Sequence, residues 1–385
     1  MTGHATPLGS QRAQFEIPDD VTYLNCASMS PSLRAVTAAG VDAVRAKASP
    51  WTLRASDWFV HAEPLRALVG RVIGADAGSI ALVPSVSYWL AVAAANLRVR
   101  AGQSIVVLER EFPSSTYTWR ELARRSGARV VTVTREPGAS WTDALLAALD
   151  DHVAIVATPV CHWTDGSLVD LERLAPAVRA SGAALAIDAS QAAGAHPIDV
   201  ERIQPDFLAA VGYKWLLGPY SFGYLYVAPK WHDHGTPIEQ SWMSRAGAED
   251  FTRLVDYVDE FRPGARRFDM GEFSHFTMLP MASAAVAQVA EWGVERISAG
   301  IGALTDRIAS EASALGCEVP RAGERVSHMV GVRLPGGLPP GLMERLTEAK
   351  VYVSVRGDSI RVSPHLYNDE RDVERFVGVL KNSLG

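Results

Sequence analysis

The chain has 385 residues, of which 48% are hydrophobic and 21% are charged. This balance is that of an ordinary globular protein, and the length suits two domains better than one. The net charge of −6 offers no basic surface for nucleic acid or for an anionic membrane, so we expect neither as a partner.

Residues 1–20 are expected to form a loose arm. The opening segment "MTGHATPLGSQR" lacks the apolar core of a signal peptide, and we expect no transmembrane helix because no apolar run reaches about 18 residues. The three cysteines, Cys26, Cys161 and Cys317, are far apart and form no metal-type pair, so no metal site is expected. Sparse cysteines without an export signal predict a cytoplasmic location.

Between about residues 75 and 230, short apolar runs alternate with longer mixed segments. Continuous apolar runs are typical of strands that are covered on both faces. Mixed segments such as 117–126 and 171–181 predict helices, and the alternation predicts a mostly parallel α/β sheet. Ligands of such sheets gather beyond the carboxyl ends of the strands. The predicted strands lie in "SIALVPS", "SIVVLER", "RVVTVTR", "HVAIVATPV", "ALAIDAS", "PDFLAAVGYK" and "FGYLYVAP".

After about residue 235 the pattern changes to that of an α+β unit. Residues 278–315 predict one or two long helices, which Gly300 and Gly302 are expected to interrupt. Short strands are predicted in "SHMVGVRL", "YVSVRG" and "SIRVSPHLY", followed by a closing helix. The predicted division is an N-terminal arm of residues 1–20, a large domain of residues 51–254, and a small α+β domain that joins residues 21–50 with residues 255–385.

Two of the predicted strands end in a charged residue. Asp188 ends "ALAID", and Lys214 follows "FLAAVGY". A carboxylate after a buried run is costly unless a cation meets it. If both strands lie in one parallel sheet, both side chains emerge at the same edge, and a ligand can lie between them.

Two other strand ends offer a seat for an anion and a flat apolar wall. Ser85, Val86 and Ser87 open an apolar helix directly after a strand, and the free N–H groups of a helix start bind phosphate well. Phe112 follows another strand in "EREFPSS". A lysine, an aspartate, a phosphate seat and an aromatic wall are together what pyridoxal phosphate requires: an imine with the amine, a carboxylate at the ring nitrogen, and a stacking partner.

The chain resembles the class V group of fold-type I pyridoxal-phosphate enzymes, which includes cysteine desulfurases, kynureninase, isopenicillin-epimerase-like proteins and several aminotransferases. The resemblance runs from "YLNCASMSP" to "IRVSPHLYNDERDVERF", and its most specific pieces are "AIDASQAAGAHPID" and "GYKWLLGPYSFGYLYV". It implies a fold-type I transferase fold, with a mostly parallel seven-stranded sheet in the large domain and a smaller α+β domain. It also implies pyridoxal 5'-phosphate as cofactor and a homodimer with shared active sites.

The resemblance gives Lys214 and Asp188 the catalytic roles. Lys214 would form the Schiff base and then move protons, and Asp188 would bind the pyridine nitrogen. Arg361, in "IRVS", matches the arginine that grips the α-carboxylate of the substrate by two parallel hydrogen bonds.

Further residues match cofactor contacts of the family. They are Val86 (through its N–H), Ser87 and Tyr213 at the phosphate, Phe112 over the ring, Gln191 near the ring oxygen or the phosphate, His162 where relatives often carry an asparagine near the ring oxygen, and Ser274 at the phosphate of a partner subunit. Several also have a structural interpretation: Phe112 and Tyr213 as core aromatics, Gln191 as a helix cap, and Arg361 as half of a surface ion pair.

Other enzyme classes lack their motifs here. The chain has no G-x-G-x-x-G between a strand and a helix and no P-loop. Among reactions at Cα of an amino acid or amine, transamination is the first hypothesis; a kynureninase-like C–C lyase or a C–S lyase, and an epimerase, are the alternatives. A cysteine desulfurase is disfavoured, because "RAGERVSHMVGV" has no cysteine where that group carries its nucleophile.

Overall fold

A seven-stranded sheet forms the centre of the computed structural model, which describes residues 6–136 and 138–384. Its strands are β2 (Ile80–Val83), β3 (Ser104–Leu108), β4 (Arg129–Val133), β5 (Val153–Pro159), β6 (Ala184–Asp188), β7 (Phe207–Val211) and β8 (Gly223–Val227), in the spatial order β2-β8-β7-β6-β5-β3-β4. All seven strands predicted from the sequence are confirmed. Only β8 runs against the others, since it pairs antiparallel with both β7 and β2.

Helices cover both faces of this sheet. Alternate residues of one strand face different cores: Ile80 and Leu82 pack in one cluster, and Ala81 and Val83 pack in another. Both faces are therefore apolar, which explains the continuous apolar runs in the sequence. The helices are α1 (Arg34–Ala46), α2 (Ala62–Ile73), α3 (Val86–Asn96), α4 (Pro113–Ser126), α5 (Trp141–Ala147), α6 (Leu171–Ala180), α7 (Val200–Ile203), α8 (Met278–Trp292), α9 (Val294–Ala314), α10 (Leu342–Glu348) and α11 (Glu370–Leu384).

A second, smaller core lies in the C-terminal part of the chain. Strands β9 (Val330–Val332), β11 (Ser354–Arg356) and β12 (Ser359–Val362) form an antiparallel sheet in the order β11-β12-β9. A short pair, β1 (Thr22–Tyr23) with β10 (Val351–Tyr352), brings the N-terminal segment to this part. The boundaries that divide the chain at residues 20, 50 and 254 stay a prediction.

The N-terminal arm is tied to the C-terminal part of the chain. Phe15 is only 2% exposed and packs edge-on against Tyr367 at 5.1 Å between ring centroids. The guanidinium of Arg12 donates to the carbonyl oxygens of Tyr367 and Val21. From residue 8 onward the expected loose arm is therefore anchored, because a buried aromatic side chain and a network of hydrogen bonds hold it.

The break between the two long helices falls at Gly293, and the prediction that Gly300 and Gly302 interrupt them is wrong. Gly293 has φ +80°, a left-handed conformation that a side chain disfavours, and it separates α8 from α9. Gly300 and Gly302 lie inside α9. A Cβ on Gly300 would lie 2.5 Å from the carbonyl oxygen of Leu8, so this glycine serves close packing. No helix in the described residues is both long enough and apolar enough to cross a membrane.

Candidate active site

A cavity opens where β2, β3, β5, β6 and β7 end at their carboxyl edge. The space inside it has a volume of about 30 Å³, below the range of small-molecule sites. The lining includes six residues that the sequence predicted for the site. The full lining is Val86, Glu111, Phe112, Pro159, Cys161, Trp163, Asp188, Ser190, Gln191, Tyr213 and Lys214.

Lys214 is the amine of this cavity. Its side chain is 9% exposed, and its Nζ lies 5.9 Å from the ring centroid of Phe112. Burial lowers the pKa of Lys214 to about 8; the Asp188 carboxylate opposes this shift, and the charges of Arg361 and Arg356 add to it. The amine can therefore be neutral at a pH near 8, and only a neutral amine attacks a carbonyl carbon.

The loop that carries Lys214 is held at both ends. The N–H of Gly212 donates to Phe222 O, and that of Gly218 donates to Gly212 O, both at 2.8 Å. A Cβ on Gly212 would lie 2.6 Å from Phe222 O, so this close crossing of the backbone requires glycine. Leu217 has φ +57° without being glycine, and such strain is common at functional sites.

Asp188 ends β6 and has one oxygen free. The N–H of Ser190 donates to Oδ1 at 2.8 Å, whereas Oδ2 accepts no hydrogen bond from the described residues. Burial raises the pKa of Asp188, an effect that the hydrogen bond from the Ser190 N–H and the charge of Lys214 partly offset. A cationic N–H donor in the cavity could therefore donate to Oδ2. Its positive charge would also stabilise the buried negative charge of Asp188.

The start of α3 provides free donors at another wall of the cavity. Ser85 caps the helix, since its Oγ accepts from Tyr88 N at 3.2 Å. The N–H groups of Val86 and Ser87 have no acceptor among the described residues. The Ser87 hydroxyl lies 3.0 Å from the Ser85 hydroxyl on the exposed side, and Ser87 itself is not a lining residue. Free N–H groups at a helix start suit an anionic oxygen cluster.

Phe112 forms another wall of the cavity together with Glu111, which follows β3, and Trp163, which follows β5; neither of these two was among the residues assigned to the site from the sequence. Trp163 meets Phe112 edge-on at 5.7 Å between centroids, and its Nε1 donates to Arg110 O. Glu111 is buried; its Oε1 accepts from Phe112 N at 2.6 Å, and its Oε2 has no partner among the described residues. Burial raises the pKa of Glu111 to about 8. A charged residue between a buried strand and an aromatic was the available signal for Glu111.

Gln191 and Tyr213 line the cavity, but the Gln191 amide already has partners. Its Nε2 donates to Ala27 O, and its Oε1 accepts from Trp215 Nε1, both at 3.0 Å. The Nε2 of Gln191 carries a second hydrogen, so one donor remains for a ligand. Burial raises the pKa of Tyr213, which keeps its hydroxyl protonated and able to donate.

His162 and Ser274 do not line the cavity. The His162 ring stacks on Trp141 at 5.4 Å, and its nitrogens lie against Thr164 Oγ1 at 2.6 Å and Glu109 O at 3.0 Å. Both ring nitrogens are thus engaged away from Lys214, so the structure does not support a contact of His162 with the ring oxygen. Ser274 is buried outside the cavity of its own chain.

Arg361, on β12, is 1% exposed and does not itself line the cavity, but it contacts the lining residue Trp163. Its Nη1 donates to Trp163 O at 2.8 Å and its Nη2 to Ser28 Oγ at 2.9 Å, whereas Nε is buried without a partner among the described residues. Burial lowers the pKa of Arg361 to about 9, and the nearby charge of Arg356 lowers it further. Such a buried cation without a carboxylate is poorly compensated, which favours binding of an anion.

The sequence and the fold are both similar to those of known proteins. The model of the aminotransferase class-V family matches residues 23–376. The chain belongs to the class V aminotransferase family. Isopenicillin N epimerase of Streptomyces clavuligerus is 27% identical over 334 residues, which cover 83% of this chain and 84% of the relative. Kynureninase of Deinococcus radiodurans is 30% identical over 280 residues, which cover 69% and 65%.

Solved structures share the fold of this class V chain. The cofactor-free cysteine desulfurase of Thermococcus onnurineus NA1 superposes with a TM-score of 0.85, covering 98% of this chain and 99% of that one, at 21% identity. A lysine-to-alanine mutant of C-DES, with glycine covalently linked to its pyridoxal-phosphate cofactor, has the same TM-score at 17% identity and covers 97% of this chain and 99% of that one. The fold is therefore the fold-type I transferase fold, as predicted from the sequence.

Pyridoxal 5'-phosphate is the cofactor of this class V enzyme, and the residues present fit it. The cavity combines an amine, a carboxylate with a free oxygen, an aromatic face, and a helix start with two free N–H donors. The fit rests on the open Asp188 Oδ2 and on the orphaned N–H groups of Val86 and Ser87.

Glu111 provides a pH test of this class V site. Its pKa is about 8 in the folded chain against an ordinary value of 4.5, so the folded chain binds this proton more tightly than the unfolded chain does. The contribution of protonated Glu111 to the stability of the folded chain is complete below the pKa of this residue in the unfolded chain. It is lost as the pH rises through about 8. The free energy of unfolding of the wild type should therefore fall by an amount on the order of a few kcal/mol between pH 5 and pH 9. In Glu111→Gln this fall should be absent.

The measurement is urea denaturation of cofactor-free protein across that pH range. Glu121→Gln is the matched control, because Glu121 is exposed, pairs with Arg124 and has a lowered pKa. A wild-type and a Glu111→Gln curve with the same pH slope would contradict the assignment.

Proposed function

We propose that this chain is an aminotransferase that acts at Cα of an amino acid through Lys214. Bound pyridoxal phosphate supplies an aldehyde that condenses with an amine and a ring that withdraws electrons from Cα. The observation that carries the proposal is the buried Lys214 amine, whose pKa of about 8 suits proton transfer near neutral pH. Once displaced from the cofactor by substrate, this amine would take and return the Cα proton.

The other cavity residues position the reactants in this proposal. Asp188 holds the ring nitrogen through Oδ2. The N–H groups of Val86 and Ser87 and the Tyr213 hydroxyl hold the phosphate, and the Phe112 ring supports the cofactor ring. Two more contacts complete the set: the second Nε2 hydrogen of Gln191 at the ring oxygen, and the guanidinium of Arg361 at the substrate α-carboxylate.

The wall opposite the amine bears on the choice between transamination and epimerisation. Lys214 Nζ is the one amine among the described residues that line the cavity, and it faces the Phe112 ring. Epimerisation by two bases needs a second proton-transfer group on the opposite face. Phe112 puts an apolar ring there, and Glu111 is the ionisable group of the same wall. Transamination needs only Lys214, which removes the proton and returns it at another atom, whereas two-base epimerisation would have to use Glu111 as the second group.

The test is a panel of amino acids incubated with purified holoenzyme without any keto-acid acceptor. We expect one substrate to release about one equivalent of its keto acid per active site, after which the reaction stops because the amino group stays on the enzyme. Repeated release of pyruvate or alanine would replace the proposal by a lyase. Loss of optical activity without a keto acid would replace it by an epimerase.

We propose further that the chain is not a cysteine desulfurase. All three cysteines are buried, and burial raises the pKa values of Cys26, Cys161 and Cys317, which disfavours the nucleophilic thiolate. Cys161 lines the cavity, but its Sγ lies against Gln191 O at 3.5 Å. Release of sulfide or a persulfide from cysteine that is lost in Cys317→Ser or Cys161→Ser would contradict this.

The homodimer and the cytoplasmic location are also proposals. Support for a dimer comes from exposed apolar side chains, including Tyr257 at 97%, Trp51 at 80% and Val255 at 79% exposure, since such residues are common at subunit interfaces. In such a dimer Ser274 would reach the phosphate of the partner subunit. A monomeric holoenzyme in sedimentation equilibrium would exclude the shared site.

A further inference from the structure

Two arginines of one β-hairpin converge on a single hydroxyl beside the cavity. Arg361 Nη2 lies 2.9 Å from Ser28 Oγ, and Arg356 Nη2 lies 3.3 Å from the same atom. The register of the hairpin explains this, because Arg361 pairs with Ser354 and Arg356 follows Ser354 by two residues. Residues two apart on a strand share a face, so the two guanidinium groups are diagonal neighbours on one face of the hairpin.

Neither of these guanidinium groups is neutralised. In the part of the chain that the structure describes, no carboxylate lies within 4.0 Å of Arg356 or Arg361. The charge of Arg333, which follows β9, is neutralised, because Arg333 pairs with Glu318 at 2.9 Å and with Asp358 at 3.1 Å. The two positive charges, which both contact the neutral Ser28 hydroxyl, repel each other. An anion bound between or beside them would reduce this repulsion.

Arg356 lies farther out from the cavity than Arg361. Neither arginine lines the Lys214 cavity; Arg356 lines an adjoining groove. The charged residues of this groove are Arg110, Arg135, Arg333 and Arg356, with the carboxylates Glu109, Asp165 and Asp358. Trp163 belongs to both spaces. Its carbonyl accepts from Arg361, and its ring centroid is 5.7 Å from the Arg356 guanidinium carbon. A substrate held at Arg361 would thus extend past Trp163 toward Arg356.

We propose that Arg356 is a specificity residue and that the amino substrate carries a second carboxylate on its side chain. Arg361 binds the α-carboxylate, and Arg356 binds the distal carboxylate in the groove beyond Trp163. This rests on the proposed function only in that the ligand is an amino acid bound above Lys214. A distal carboxylate would complete the charge balance that the described chain leaves open.

The test measures ligand binding to the holoenzyme by isothermal titration calorimetry, without any turnover. The probes are glutarate and succinate, each compared with its monoamide, which has the same shape but one charge fewer. We expect the wild type to bind at least one diacid about tenfold or more tightly than its monoamide, the typical effect of one charge-assisted hydrogen bond. Equal binding within both pairs would overturn the proposal.

Single substitutions show which side chain causes the preference for the diacid. In Arg356→Gln the preference for the diacid should disappear while the monoamide binds within about twofold of wild type. Arg356→Lys, which keeps the charge, should retain part of it and covers the case in which the glutamine variant does not fold. The matched control Arg333→Gln, on the same groove, should keep the full preference. Arg361→Gln should weaken diacid and monoamide alike.

A preference that survives in Arg356→Gln would refute the assignment. The outcome is separable from that of the proposed function. An Arg356-dependent preference for the diacid together with no keto acid in the amino-acid panel would leave this inference standing and remove the aminotransferase. Keto-acid release from neutral amino acids only, with equal binding of diacid and monoamide, would do the reverse.

Discussion

Lys214→Ala will abolish the covalent attachment of the cofactor and lower turnover by roughly a thousandfold or more. General acid–base catalysis alone contributes about 10²–10⁴ to rate, and the variant loses both the proton carrier and the attachment point. The cofactor can still be retained by the N–H groups at the start of α3 and by Phe112. The measurements are steady-state turnover of the substrate found in the panel, and mass spectrometry of the borohydride-reduced protein.

Lys230→Ala is the matched control for this change. Lys230 is an exposed lysine that pairs with Asp206 at 2.7 Å, and it is not one of the residues lining the cavity. We expect this control to keep both the reduced cofactor adduct on Lys214 and normal turnover. Normal turnover in Lys214→Ala, or an adduct on a different lysine in the wild type, would show that the site is elsewhere.

Asp188→Asn should leave the covalent attachment intact and lower turnover by about 10²–10³, the usual cost of losing one preorganised electrostatic partner. The free Oδ2 is the acceptor for the ring nitrogen in the proposed site, and a neutral amide cannot stabilise a positive charge there. Burial already raises the pKa of Asp188, so a cationic partner in the cavity benefits the carboxylate as well.

A buried aspartate elsewhere in the sheet serves as the control for Asp188. Asp206 precedes β7, where its oxygens accept from Leu185 N at 3.0 Å and Trp231 Nε1 at 2.9 Å. Asp206→Asn should lower the melting temperature without changing turnover per folded site. Equal losses of turnover in Asp188→Asn and Asp206→Asn would mean that Asp188 has a structural role only.

Much of the fold follows from the sequence because both faces of the central sheet are buried. A strand covered on two sides is apolar throughout, and parallel strands bring their carboxyl ends to one edge. The residues that follow those strands therefore meet there, as Val86, Phe112, Asp188 and Lys214 do. The distance in sequence between them does not matter, since the topology sets their positions.

The direction of a side chain after a strand is harder to predict. His162 follows β5, as expected, but its ring turns away to stack on Trp141. Arg356 was missed although both strands of its hairpin were predicted, because its place depends on which residues pair across them. A shift of that register by one residue would put Arg356 on the opposite face. These contacts depend on packing partners distant in sequence, which a pattern of residue types does not contain.

The contact of Ser28 with Arg361 joins residues near the two ends of the chain, which are synthesised at different times. The residues that would hold the cofactor are made by residue 214, but the guanidinium groups of the substrate side come from β11 and β12, near the C-terminus. A chain that ended at residue 300 would contain Lys214 and Asp188 but neither Arg356 nor Arg361. In the proposed site, the groups that recognise the substrate are therefore the last to be synthesised.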